Sequence, residues 1–479
     1  MLMPAKKRKG GKNKLEKLAF ERCNSWESVP KKDAKFVEDL GKEYMAFLDT
    51  GKTERESVNI LISLAKAKGF VDIKGVKAAK AGDKLFVVYR RKVVALIIMG
   101  SDPLAKGINL IGSHIDAPRL DLKPNPLYQD KSTDLALLRT HYYGGVKKYN
   151  WANVPLALHG FVVKADGSEI HIIIGEAPGD PVLIIPDLEP HLYHKAQASR
   201  KLSEGFKGEE LRIIVANKAI GDKKLADRVK LWVLNHLNEK YGIVEEDFCS
   251  AEFEIVPALK AADVGFDRSF VGSYGQDDRV CAFTSMRALF DAKVVKRTCV
   301  ALFFDKEEIG STGSTGAESF FLRNLMGMLF RAVGKAHDEH ALWDSMLNSH
   351  ALSADVTGAV NPIFKEVHEM SNAPIAGRGI VFSKYTGAGG KFAASDANPE
   401  FVGKVRRVFN SKNIPWQSAE LGKVDEGGGG TIAKFLARYG MEVVDCGPGL
   451  ISIHTPYELT SKVDLYNTYR AYKAFFEMV

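Results

Sequence analysis

Five short segments gather acids and histidines: Gly112–Asp116 with His114 and Asp116, Gly275–Arg279 with Asp277, Asp305–Ile309 with Glu307 and Glu308, Ser353–Asp355, and Ile451–His454. Imidazole nitrogen and carboxylate oxygen are the donors a cation such as zinc takes, at about 2.0–2.2 Å. Two such ions about 3.5–4 Å apart can share a bridging carboxylate. The pair then needs one bridge and two terminal ligands for each ion. His114, Asp277, Glu308, Asp355 and His454 are sufficient in number and type. A further, unliganded carboxylate is needed to move protons, because water on zinc ionises near pH 7 (about) and a neighbouring Glu can take its proton. The tandem Glu307-Glu308 could supply one ligand and one base. His114 and Asp116, separated by one residue, face the same side of an extended chain. Asp116 there could accept the second imidazole N–H and orient the ring.

Each segment alone has an ordinary alternative. A histidine near a strand end is commonly a satisfied structural residue, and Glu-Glu pairs are commonly solvated. Asp277-Asp278 before Arg279 could cap a helix, a position that Asp favours, and Asp355 could cap a loop. Composition and spacing leave these alternatives open. Other motifs carry less. Gly310-Ser-Thr-Gly-Ser-Thr-Gly316 lacks the Gly-Lys-Ser/Thr of a phosphate loop and reads as a loop whose N–H groups face the site. Gly427–Gly430 permits close backbone approach, as a substrate-facing loop or a plain turn. No G-x-S-x-G nucleophile elbow is present.

The elements that must position these residues follow from periodicity. Apolar spacing predicts helices over Lys32–Asp49, Glu54–Lys68, Lys223–Lys240, Arg279–Asp291, Gly316–Val333, Asn398–Asn410, Gly430–Tyr439 and Ser461–Glu477. Short apolar runs predict strands at Lys84–Tyr89, Val93–Met99, Asn109–Ser113, Thr298–Phe304, His350–Ala354, Gly379–Ser383 and Glu442–Asp445. This alternation argues for an α/β fold, a mixed sheet with helices on both faces. Ligands of such sheets bind beyond the carboxyl ends of the strands, where His114, Glu307, Glu308 and Asp355 fall. Between them, Pro155–Lys164, Glu169–Ile174, Val182–Ile185 and Leu211–Ala216 read as antiparallel β structure. The expected organisation is a basic disordered tail over 1–15, a catalytic domain split into 16–124 and 256–479, and an inserted β-rich domain over 125–255.

Composition bounds the function class. The 479 residues are 45% hydrophobic and 26% charged, as in ordinary globular proteins. The net charge is +8, but Lys6, Lys7, Arg8, Lys9, Lys12 and Lys14 carry most of it. Without that tail the chain is nearly neutral, so no nucleic-acid partner is expected. The five cysteines are scattered, with no C-x-x-C pair, which argues for a reducing compartment and against a cysteine zinc site. No apolar run reaches the length of a membrane span, and no signal sequence follows the basic start. A cytoplasmic location is the expectation.

In this order and spacing, Gly-Ser-His-Ile-Asp-Ala-Pro-Arg (112–119), Gly-Gln-Asp-Asp-Arg (275–279), Glu-Glu-Ile-Gly-Ser (307–311), Ser-Ala-Asp-Val (353–356) and Ser-Ile-His (452–454) resemble the M18 metallo-aminopeptidases, the aspartyl aminopeptidase and aminopeptidase I group. The resemblance spans nearly the whole chain after the tail. It implies a two-metal aminopeptidase that removes an unblocked N-terminal residue from peptides. His114 and Asp355 would hold one divalent ion, Glu308 and His454 the other, and Asp277, before a cis peptide to Asp278, would bridge them. Zinc is the first choice, with manganese or cobalt as alternatives. Glu307 would be the general base, assisted by Asp116. The resemblance also implies that the β-rich insertion serves dimerisation, that dimers build a tetrahedral dodecamer, and that His191 in Ile185–Leu192 contacts substrate in a neighbouring subunit. Lys384, Lys391 and Phe392 fall where substrate binds. Gly390-Lys-Phe-Ala393 departs from the Gln-Arg-Tyr-Ala of the aspartyl enzymes, which leaves acidic, neutral and basic N-terminal residues open.

Overall fold

The computed structural model describes residue 15, residues 18–335 and residues 338–478. The expected basic tail therefore lies outside the described residues, apart from Leu15. Among the described residues, the fold is mixed α/β, with one large mixed sheet, a six-stranded antiparallel sheet and two smaller sheets.

The large sheet has nine strands in the order Val71–Asp72, Lys84–Tyr89, Val93–Ile98, Cys299–Phe304, Asn109–His114, His350–Ser353, Glu442–Gly447, Ile380–Ser383 and Trp416–Ser418. Its four central strands, from Cys299–Phe304 to Glu442–Gly447, are parallel. The strand Cys299–Phe304 shows why the apolar runs are unbroken. Cys299, Ala301 and Phe303 enter one buried cluster, and Val300, Leu302 and Phe304 enter another on the opposite face. Successive side chains point to opposite faces, so a sheet covered on both sides needs apolar residues at every position. The first cluster takes in helices Ala34–Thr50, Glu54–Ala67, Gln276–Phe290, Pro399–Ser411 and Lys462–Phe476; the second takes in Phe321–Ala332, Glu339–Leu347 and Ala433–Ala437.

Local chemistry sets the helix ends. Thr53 accepts the N–H of Glu56 while the Glu56 carboxylate turns back to the Thr53 N–H, a complete capping box. The run expected as a helix over Gly316–Val333 becomes helical only at Phe321. The residues before it are needed for a tight loop: a Cβ at Gly316 would stand 1.9 Å from the Ser311 carbonyl oxygen.

The six-stranded sheet is antiparallel throughout, in the order Glu169–Ile174, Leu156–Val163, Ala251–Pro257, Arg119–Asp130, Leu135–Tyr143 and Arg212–Ala216. With the helix Arg228–Tyr241 it buries a third apolar cluster. Val182–Ile185 is not a strand; Leu183 and Ile184 make single bridges to Leu156 and Ile214. A smaller five-stranded sheet pairs Phe270–Ser273 with Glu458–Ser461, which brings the segments around Asp277 and His454 together.

Candidate metal centre

His114 ends its strand, Asp355 follows the strand His350–Ser353, and Glu307-Glu308 follow Cys299–Phe304 in a single 3-10 turn. Because these strands are parallel, their carboxyl ends deliver the three segments to one edge. Asp277 and Asp278 open the helix Gln276–Phe290 in non-helical conformations, and the peptide between them is cis. His454 enters from a turn with φ +63°.

These residues converge. His114 Nε2 lies 3.3 Å from Asp277 Oδ1, and His454 Nε2 lies 3.2 Å from Asp277 Oδ2. His454 Nε2 also lies 3.2 Å from Glu308 Oε2. Ligand atoms of His114, Asp277 and Glu308 lie within 4.8 Å of one another, as do those of His114, Asp278 and Asp355. All five expected ligands and Glu307 line one cleft of about 750 Å³.

The imidazoles are held by their other nitrogens. His114 Nδ1 faces the Asp116 carbonyl at 3.1 Å and its Oδ1 at 3.4 Å. His454 Nδ1 faces the Gly145 carbonyl at 3.0 Å. A carbonyl can only accept, so His454 carries a proton on Nδ1, and it is Nε2 that faces the Asp277 and Glu308 carboxylates. Asp116 does more than orient His114. Its Oδ1 accepts the Glu307 N–H and its Oδ2 the Glu308 N–H, both at 3.2 Å, and Oδ2 also accepts the Tyr143 hydroxyl at 2.8 Å.

Asp277, Glu307, Glu308 and Asp355 crowd four carboxylates around two imidazoles in the cleft, with Asp277 and His114 buried and the other four residues half-buried. Burial pushes Glu307 up to about 8; His114 pulls the other way, while Glu308 and Asp116 reinforce the rise. Burial also raises Asp355, with Asp278 adding to it. At Asp277 burial is outweighed by the His114 and His454 imidazoles, which hold its carboxyl below the usual range. Burial likewise opposes a charged His454, but Asp277 and Glu308 outweigh it and raise that imidazole far above its usual range. The arrangement demands positive charge, and Glu308 Oε1 is buried without a hydrogen-bond partner. A nitrogen and carboxylate donor set with this deficit fits divalent cations.

The other expected site residues fall in different places. Lys391 lines the cleft, paired with Asp396 at 3.1 Å and with its ammonium 3.8 Å from the Tyr385 ring centre. Lys384 is exposed and outside the cleft lining; its carbonyl accepts the Ala397 N–H. Phe392 is 83% exposed and also outside the lining. Its backbone bridges Ala388 in a tight turn. His191 is exposed and does not line the cleft of its own chain. Both glycine-rich segments do line it, through Gly310 and through Gly427–Gly430.

Sequence reasoning missed Glu458. Its Oε2 accepts the N–H of Gln276 at 2.6 Å and of Asp277 at 3.1 Å, and its Oε1 accepts the N–H of His454 at 2.8 Å. It also missed Tyr143 and Gly145.

Comparison with known proteins identifies a family. Residues 47–476 match the family model for the aminopeptidase I zinc metalloprotease family, M18. A probable M18 family aminopeptidase 1 of Clostridium acetobutylicum is 46% identical over 462 residues, covering 96% of this chain and 98% of the relative. The crystal structure of an M18 aminopeptidase from Thermotoga maritima superposes with a TM-score of 0.92 at 46% identity, covering 96% of this chain and 100% of that one. A more distant yeast structure, the mApe1 dodecamer, shares the fold with a TM-score of 0.73 at 21% identity, covering 92% and 97% of the two chains. Fold and family model together define a peptide hydrolase of the aminopeptidase class. The chain belongs to the M18 family.

Proposed function

We propose that the chain is a two-ion aminopeptidase that removes an unblocked N-terminal residue from peptides. The observation that carries this reading is Asp277 lying between His114 and His454 with one carboxylate oxygen toward each. Asp277 would serve both ions, with Asp355 and His114 holding one, and Glu308 and His454 the other. Zinc, the metal of the family description, is the preferred ion, with manganese or cobalt as alternatives. When bound, the ions supply Lewis-acid polarisation of the scissile carbonyl and a water ionisable near neutral pH.

The protein's own groups do the rest. Glu307 takes a proton from the attacking water on its carboxylate and later delivers it to the leaving amine. Asp116 holds the Glu307 and Glu308 backbone and the His114 ring in place. The fold divides into a catalytic domain split across 16–124 and 256–479, with 125–255 inserted for dimerisation. The separate core of the six-stranded sheet supports an inserted unit, but its strands Arg119–Asp130 and Ala251–Pro257 run across both of these bounds. Oligomerisation to a dodecamer is supported by the fold shared with the yeast assembly; His191 would then reach a neighbouring subunit's cleft. Five free cysteines fit a reducing, cytoplasmic setting.

The test is free-amine dependence. Aminoacyl amides with open and acetylated N-termini are compared after loading with zinc, manganese or cobalt. Hydrolysis of the free-amine series alone is expected. Equal rates on acetylated substrates would instead favour a related amidohydrolase. A panel of N-terminal residues decides the side-chain preference.

A further inference from the structure

Three consecutive residues after and at the end of the strand Leu135–Tyr143 touch the acidic centre in three ways. Tyr143, 8% exposed, donates its hydroxyl to Asp116 Oδ2 at 2.8 Å. Gly144 has φ +73°, and a Cβ there would stand 3.2 Å from Glu308 Cβ and 3.3 Å from its Oε2. The Gly145 carbonyl accepts the His454 Nδ1–H at 3.0 Å, and a Cβ on Gly145 would stand 3.1 Å from that nitrogen. The strand belongs to the six-stranded sheet, whereas His114, Glu307, Glu308 and Asp355 sit at the end of the nine-stranded one.

The chemistry of these contacts is positional. Asp116 already accepts the Glu307 and Glu308 N–H groups. The Tyr143 hydroxyl adds a donor from a different sheet and fixes the rotation of that carboxylate. Gly145 fixes the His454 tautomer and the plane of its ring. Partners of this kind around a metal ligand typically contribute about 10–100-fold in metal affinity or activity.

We propose that Tyr143-Gly144-Gly145 is a positioning strap through which the six-stranded sheet sets the geometry of the two-ion centre. Tyr143 fixes Asp116, Gly144 makes room for Glu308, and Gly145 fixes His454. The inference rests on the two-ion reading above.

The experiment uses full-length Y143F and G145A, with Y142F, on the neighbouring exposed tyrosine, as control. Metal-free proteins are titrated with zinc by chelator competition and with cobalt by visible absorption. kcat and KM are measured on a free-amine substrate. Y143F and G145A are expected to bind one ion about 10–100-fold more weakly, to change the cobalt spectrum, and to lose kcat with KM nearly unchanged. Their metal-free melting temperatures and all Y142F values should match wild type. Wild-type affinity and spectrum in Y143F and G145A overturn the inference, and so do losses that merely follow a lower melting temperature. If G145A does not fold, Y143F decides alone. Wild-type protein that binds no ions overturns the two-ion reading and this inference with it.

Discussion

His454 donates its backbone N–H to Glu458 Oε1 at 2.8 Å, and the other oxygen of that carboxylate takes the N–H groups of Gln276 and Asp277. One buried side chain thus ties the turn that carries His454 to the turn that carries Asp277. Three N–H donors need an acceptor at both oxygens. In E458Q an amide NH₂ must face at least one of them, and an unsatisfied buried donor costs about 1–3 kcal/mol. Thermal unfolding should show a lower midpoint and a smaller increase on adding zinc than in wild type. An unchanged zinc-dependent increase would show that Glu458 does not order the two turns.

Glu307→Gln tests the proposed proton transfer separately from metal binding. The side chain keeps its size and Asp116 still accepts its backbone N–H. Turnover should fall by about 10²–10⁴-fold, with metal content by elemental analysis and the melting temperature held. A pure variant with wild-type turnover would remove Glu307 from the general-base role.

The pH dependence of stability has a separable contribution from His350. Burial pushes its imidazole down to about 4, and Lys404 and Arg297 add to that. Arg297 donates to His350 Nδ1 at 3.2 Å, a bond that the neutral ring alone can accept. The folded state therefore binds fewer protons than the unfolded chain, where the group titrates near about 6.5. The stabilisation is complete above about pH 6.5 and is lost as pH falls toward 4. Its size is about 1–2 kcal/mol after allowing for partial solvation of the ring. Urea unfolding at pH 7 and pH 5 should show a smaller pH difference in H350Q than in wild type; equal differences would refute the assignment.

Gly316→Ala tests the loop behind Glu308. Its new Cβ would stand 1.9 Å from the Ser311 carbonyl oxygen, whereas Gly221→Ala meets nothing within 4 Å. Overpacking costs about 1–3 kcal/mol or more, so G316A should lower the urea midpoint and G221A should not. Similar midpoints would mean the loop relaxes freely.

The sequence was most legible where one physical rule dominated. Lys84–Tyr89 and Glu169–Ile174 were bounded to the residue, because apolar runs between turn residues leave little choice. The hairpin Arg119–Asp130 with Leu135–Tyr143 is not legible in the sequence; Pro124 and Pro126 interrupt its first strand. The chain accommodates them at a register shift between Leu122 and Leu127, where the ladder is interrupted. Cleft-lining residues that bear ligand atoms could be found by type. Tyr143, Gly145 and Glu458 could not, because what they contribute is a hydroxyl, a carbonyl and an acceptor for backbone N–H groups. Those roles depend on where separate sheets meet. Lys384 and Phe392 illustrate the opposite case: resemblance placed them near substrate, but Lys384 follows the strand Ile380–Ser383 and Phe392 closes a turn on Ala388, and neither lines the cleft of its own chain.

The pairing of Glu458–Ser461 with Phe270–Ser273 has a consequence for biosynthesis. Residues around His114 leave the ribosome several hundred codons before Glu458. Until that late strand emerges, neither the Asp277 turn nor the His454 turn has its common acceptor. A chain interrupted before Glu458 thus carries most of the acids but lacks the carboxylate that ties the two turns together.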